Sequence, residues 1–472
     1  MKAIKYLLIG AAIVGFSATS IAQNDSKATI ESITKVIKNK SGDVDDQVKS
    51  VYKNNKKNAE VLVGIGRAYL DVKDTAKAKN FADLAIKADK KYAPGYILHG
   101  DIEVIKDDGG AAAGWYQQAI YFDPKNPDGY FKYASIYRGR SPEEAVSKLE
   151  DLRIQRPDIA VDAMAARIYY SSNKFDKAIE SYSKVDMNRL DNTDITNYAM
   201  AAYLKQDFKK SLEIATFGIQ KSPREAAFNR LAFFNSTDLK DYENALKYAD
   251  ALFNKSDSAK FSYLDYTYYG HALMGAKQYD NAIAQFKKAL AENIDRKEII
   301  ADVKKQISSA YEASGDYSNA ILFYKDYLNS IEKETASDLA GLGTLYNEQA
   351  DKLTGAAKTE AYKSADAIYG DLADKFPNAV EFADFMRARV NSYMDPDTRL
   401  GLAKPYYEKL ADLISAKTEK DNADNARLVE CYRYLGYYNY LKKDNATANL
   451  YWRKILNIDP NNETAKQALG IK

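Results

Sequence analysis

The chain is poor in the residues from which most chemical sites are built. Among 472 residues there is one cysteine, Cys431, and there are two histidines, His99 and His271. A single thiol excludes an intramolecular disulfide, and two histidines so far apart in sequence form no zinc motif. Lys plus Arg, 68, nearly cancels Asp plus Glu, 66, which removes any global electrostatic case for nucleic acid or an anionic membrane. Proline is scarce at ten residues, so long helices can run unbroken.

Catalytic signatures are missing too. There is no Gly-x-Ser-x-Gly elbow and no phosphate-loop pattern. Gly64-Ile65-Gly66 and Gly341-Leu342-Gly343 imitate the start of a dinucleotide loop, but neither has the third glycine and both fall inside a predicted helix. No acid, base and nucleophile set can be assigned from spacing, so neither an enzyme nor a bound cofactor is expected.

What the chain does have is a repeat of about 34 residues running from Asn58 to Pro460. A clear copy reads Tyr266, Tyr269, Gly270, Leu273, then Tyr279, Ala282, Phe286 and Ala289. Those spacings describe two short antiparallel helices. Other copies keep the phase: Leu62, Gly66, Tyr69, Ala78 and Ala82; Tyr96, His99, Gly100, Ala112 and Tyr116; Tyr432, Leu435, Gly436, Ala448, Trp452 and Pro460. One hairpin cannot bury its apolar faces alone, so the units must stack.

The pattern resembles the tetratricopeptide repeat, with small residues where its two helices approach closely and large ones between repeats. The resemblance implies an all-α fold, a right-handed α-solenoid (superhelix) of about eleven helix-turn-helix repeats. It also implies a protein-binding scaffold without catalysis of its own. Most of the 38 tyrosines sit in phase with the repeat, as Tyr137, Tyr311 and Tyr324 do, and are assigned to packing. His99 falls at a core position and His271 on the inner face.

The ends read differently. Met1 to Lys5 is a short positive start, Tyr6 to Ala18 is apolar, and Ser20-Ile21-Ala22 before Gln23 fits a signal-peptidase site, so residues 1–22 are expected to be a signal peptide. Its apolar stretch is too short for an ordinary membrane span, and no integral span is expected after its removal. Without Lys2 and Lys5 the formal charge falls from +2 to zero. Such a leader, on a chain with no cysteine at the junction, points to an exported bacterial protein of Bacteroidetes-like type, periplasmic by default and secreted or outer-membrane associated otherwise. Residues 23–57 read as capping helices, 58–462 as the array with a longer hairpin at about 347–360, and 463–472 as a final capping helix.

In the tetratricopeptide family, positions 5, 9 and 12 of the first helices line a groove. Carried onto this sequence, they give Arg67, Asp101, Phe131, Arg138, Arg167, Tyr170, Tyr203, His271, Lys305, Arg433, Tyr437 and Tyr440 as ligand-binding candidates. Arg and Tyr anchor interfaces because they join apolar area to directional hydrogen bonds. Family members that clamp chaperone tails combine Lys at 5 with Asn at 9, whereas Lys305 is followed by Ser309. The expected ligand is a protein or peptide segment held in the groove. The alternative is a glycan, stacked on tyrosine faces, since some glycan-capture proteins of Bacteroidetes contain such repeats. Asp74-Thr75-Ala76 and Asp257-Ser258-Ala259 also resemble an O-glycosylation sequon of such bacteria.

Overall fold

A computed structural model describes residues 22–471; the leader through Ile21 lies outside the described residues. The described residues are α-helical throughout, apart from turns and short 3-10 or π segments, with no strand among them. The chain divides into two units, 1–235 and 236–472.

The first unit opens with helices Ala22–Asn39 and Val44–Asn54, which bury Ile33, Ile37 and Val48 against Val61, Leu62 and Ile65. Five hairpins follow, from Ala59–Asp71 with Thr75–Ala88 to Asn192–Leu204 with Phe208–Lys221. Helix Ala226–Asp238 closes the unit and runs just past the division. The second unit continues with Tyr242–Asp250, which passes into a π turn at Ala251–Lys255. Five more hairpins follow, from Tyr263–Gly275 with Tyr279–Ala291 to Asn422–Leu441 with Asn445–Ile458, and then helix Glu463–Leu469.

Six of the turns between paired helices share one construction. Lys73, Asp107, Gln206, Lys240 and Lys443 adopt left-handed φ of 60–65°, and Gly315 does so at 85°. The next residue is an aspartate whose N–H reaches back five residues: Asp74 to Tyr69 O at 2.9 Å, Asp108 to Glu103 O at 3.0 Å, Asp316 to Tyr311 O at 2.9 Å. This closes the first helix in the left-handed style that usually takes glycine. The same aspartate then caps the second helix, Asp74 accepting from Lys77 N–H at 3.0 Å and Asp108 from Ala111 N–H at 2.9 Å. One residue thus ends one helix and starts the next, which keeps the hairpin tight.

Packing follows the small-to-large pattern. A Cβ on Gly100 would stand 2.3 Å from Tyr116, one on Gly270 2.3 Å from Phe286, and one on Gly436 2.8 Å from Trp452. The dinucleotide-like Gly64 and Gly66 are explained in the same way. They sit 2.6 Å from Ile30 and 2.5 Å from Leu98 on the same construction, so helix packing uses both. The extra residues after Tyr346 are wound into helix rather than looped. Ala336–Lys352 and Gly355–Lys375 meet across Leu353-Thr354, and Tyr362 donates to Asp351 at 2.7 Å close to that turn. Among the described residues no helix is long and apolar enough to cross a membrane.

Candidate functional site

The binding candidates lie on the first helices of the hairpins, with Arg138 at the cap that ends one of them. In the first unit, Asp101 collects Tyr116 OH at 2.8 Å and Lys132 Nζ at 2.7 Å, with Arg67 Nη1 3.9 Å away. Three successive first helices are joined there. Arg67 is exposed and Asp101 half-buried. Phe131 packs against the apolar core of its hairpin. The carbonyl of Arg138 accepts from Ser172 Oγ at 2.8 Å. Tyr170 and Tyr203 are half-buried and lean on Phe175 and Phe208, ring centres 5.9 and 5.6 Å apart.

Arg167 is engaged more fully. Its Nε and Nη2 reach the two oxygens of Asp194 at 2.5 and 2.6 Å, and Nη2 also reaches Asp191 at 2.8 Å. Tyr182 donates to the same Asp194 at 3.1 Å. Asp194, 2% exposed, is the third residue of helix Asn192–Leu204. The hydrogen bonds to Asp194 raise the Arg167 pKa, so its charge is fixed.

The second unit repeats this arrangement. Lys305 Nζ lies 3.1 Å from Asp338 and 4.5 Å from the Tyr327 ring centre, and Tyr327 OH donates to Asp338 at 2.8 Å. Asp338 is again the third residue of its helix and closes a capping box with Thr335. Burial alone would raise the Asp338 carboxyl, but hydrogen bonds from Thr335, Tyr327 and Lys305 hold it at about 2. Arg389 forks Glu430 at 2.9 and 2.8 Å, with Tyr407 OH on the same carboxylate at 3.0 Å.

Sequence reading assigned Arg167 and Lys305 but not the aspartates that hold them. The available signal was a cap followed three residues later by aspartate: Asp191 and Asp194, Ser262 and Asp265, Thr335 and Asp338, Asp421 and Asp424. His271 is exposed, with its ring edge-on to Phe286 at 5.4 Å. His99, by contrast, is 1% exposed.

The remaining three candidates lie on one stripe of helix Asn422–Leu441. Arg433, Tyr437 and Tyr440 follow each other at helical spacing, and all three are exposed, Tyr437 by 44% and Tyr440 by 60%. Among the described residues Arg433 forms no ion pair, although its charge is felt by Glu430. Its near neighbour Glu430 is already taken by Arg389 and Tyr407. In helix Glu463–Leu469, which follows this last hairpin, the third position, aspartate in the clamps of Arg167 and Lys305, is the buried Ala465.

Residues 59–92 match the family model described as tetratricopeptide repeat. No curated protein matches the chain. Among solved structures, the chain is similar to the C-terminal part of a TPR repeat-containing protein from Cytophaga hutchinsonii, at 26% identity and a TM-score of 0.45, covering 58% of this chain and 99% of that one. It is also similar to a tetratricopeptide repeat protein from Parabacteroides merdae, at 17% identity and a TM-score of 0.33, covering 53% and 98%. Residues 59–92 are thus matched as one tetratricopeptide repeat, and the close helix contact of that hairpin recurs in hairpins of both units.

Proposed function

We propose that the protein is a non-enzymatic scaffold of the bacterial envelope that holds a protein or peptide segment on its first-helix face. The observation that carries this reading is the contrast between clamped and unclamped candidates. Arg167 and Lys305 spend their hydrogen bonds on Asp194 and Asp338. Arg433, in no ion pair among the described residues, is exposed beside two exposed tyrosines. An arginine flanked by aromatic faces is the side-chain set that most often dominates interface energetics. The leader read from the sequence supports export, with the periplasm as the compartment.

The test is photo-crosslinking in the native envelope, with the reactive group at Tyr437 or Tyr440 and a control at the exposed Lys184, the cap that ends the second helix Phe175–Ser183. A protein captured at the first two sites and not at the third supports the reading, and Arg433→Ala with Tyr437→Ala should abolish the capture while leaving the melting temperature unchanged. Equal capture at all three sites would sink it. Retention on immobilised polysaccharide with no protein captured would favour glycan binding, for which the two exposed tyrosine faces are the supporting observation. Fractionation and amino-terminal sequencing test the location, with Gln23 the expected first residue.

A further inference from the structure

We propose that His99 is an acid-sensitive joint between the first two hairpins, whose protonation loosens helix Ala93–Ile105 against helix Thr75–Ala88 and shifts the face that Asp101 shares with Arg67 and Lys132. The ring is 1% exposed and stands between two unlike neighbours. On one side it stacks on Trp115, ring centres 4.3 Å apart and 16° from parallel. On another, Nε2 lies 2.9 Å from Asp83 Oδ1, off the line of a straight hydrogen bond, while Nδ1 finds no protein partner. A charged ring would be stripped of its hydration in this place, and Asp83, itself 59% exposed and off the hydrogen-bond line, and the indole face repay only part of that loss.

The other charged groups facing the ring are few. Lys79 shares the Thr75–Ala88 helix with Asp83, and Glu103 shares the helix of His99. Helix Gly109–Phe122, which carries Trp115, has no Asp, Glu, Lys or Arg. Arg67 and Lys132 are engaged at Asp101, two residues further along the His99 helix. Burial is the largest influence on His99 and lowers its pKa, with Asp83 opposing it.

The sign follows from that direction. Because the folded protein holds the ring's pKa below its unfolded value of 6.5, the folded state binds this proton less readily than the unfolded state does. Stability at this joint is present above 6.5 and declines as pH falls from 6.5 toward the folded midpoint. Asp83 and the indole moderate the loss, so the joint loosens locally while the other hairpins stay packed. Histidine is the side chain that titrates in the range an envelope protein meets.

Two readouts on the folded protein decide the matter. With only two histidines in the chain, ring-labelled histidine NMR gives two titrations, assigned with His271→Asn. With only two tryptophans, Trp452→Phe leaves Trp115 as the sole indole emitter. The expected result is a His99 midpoint displaced below 6.5, quenching of Trp115 emission with that same midpoint, and amide protection in Ala93–Ile105 falling several-fold across it while Asn422–Leu441 holds. His99→Gln should remove the quenching. A His99 midpoint at or above 6.5, emission that ignores the titration, or uniform loss of protection along the chain would overturn the proposal. Should His99→Gln fail to fold, agreement or disagreement of the two wild-type midpoints settles it alone.

Discussion

Gly343 and Tyr369 make the same contact as Gly270 and Phe286, although ten more residues separate them in sequence. A Cβ on Gly343 would stand 2.5 Å from Tyr369 Cε1, against 2.3 Å for Gly270 and Phe286 Cε1. The insertion lengthens both helices of that hairpin without moving the point where they touch. The contact between a missing side chain and an aromatic ring is therefore the fixed feature of the hairpin, and helix length is the variable one.

That contact sets a first expectation. Gly270→Ala forces the ring of Phe286, itself 1% exposed, out of a packed position. Overpacking of this kind destabilises by about 1–3 kcal/mol. Gly114→Ala is the matched control, because nothing lies within 4 Å of its Cβ position in the interior of helix Gly109–Phe122. It should stabilise by about 0.5–1 kcal/mol, since alanine loses less backbone freedom on folding than glycine. Thermal melts of the two variants should move in opposite directions.

The clamp at Arg167 sets a second. Arg167→Ala leaves the buried Asp194 carboxylate with Tyr182 but no cation. With the guanidinium 43% exposed, water screens part of the pair, and a loss of roughly 1–3 kcal/mol is expected rather than the larger penalty of a fully buried ion pair. Urea unfolding measures it. Arg433→Ala, which strands no ion-paired carboxylate among the described residues, should shift the urea midpoint by less than a quarter as much.

These two arginines also show where sequence reading stops. The repeat was legible because its small and large residues recur in one register, and a hairpin has few ways to satisfy that pattern. Asp74 and Asp316 were legible in principle as turn residues. Asp194 and Asp338 were not, because an aspartate three residues after a cap looks like a purely local helix signal. Its remaining oxygen valences are filled by a tyrosine and a cation from the preceding hairpin, and only the stacked structure brings those together. Arg167 and Arg433 are alike in sequence. The residue that separates their fates lies in the helix after each hairpin: Asp194 after one, Ala465 after the other.

Cys431 allows a chemical check of the last hairpin's packing. The thiol is fully buried, and burial, reinforced by Glu430, pushes its pKa up to about 12. Since the thiolate is the reactive form, the folded protein should not react with a thiol reagent at about pH 8. One equivalent should react on unfolding. A fast reaction in buffer would show that helix Asn422–Leu441 opens on its own.

The clamp at Asp338 makes stability depend on acid in a predictable direction. Its carboxyl sits at about 2 in the folded protein against 3.8 ordinarily, so the folded state holds the ionised form more strongly than the unfolded state does. The contribution is full above 3.8 and is lost as pH falls through about 2. A displacement of this size corresponds to roughly 2 kcal/mol. Comparison with Asp338→Asn isolates it from the many other carboxylates, which titrate alike in both proteins. The stability gap between them should be widest near neutral pH and should narrow as pH falls from 3.8 toward 2. A gap that stays constant through that interval would mean that Lys305, Tyr327 and Thr335 do not favour the charged carboxylate, and that the clamp is a packing contact rather than an electrostatic one.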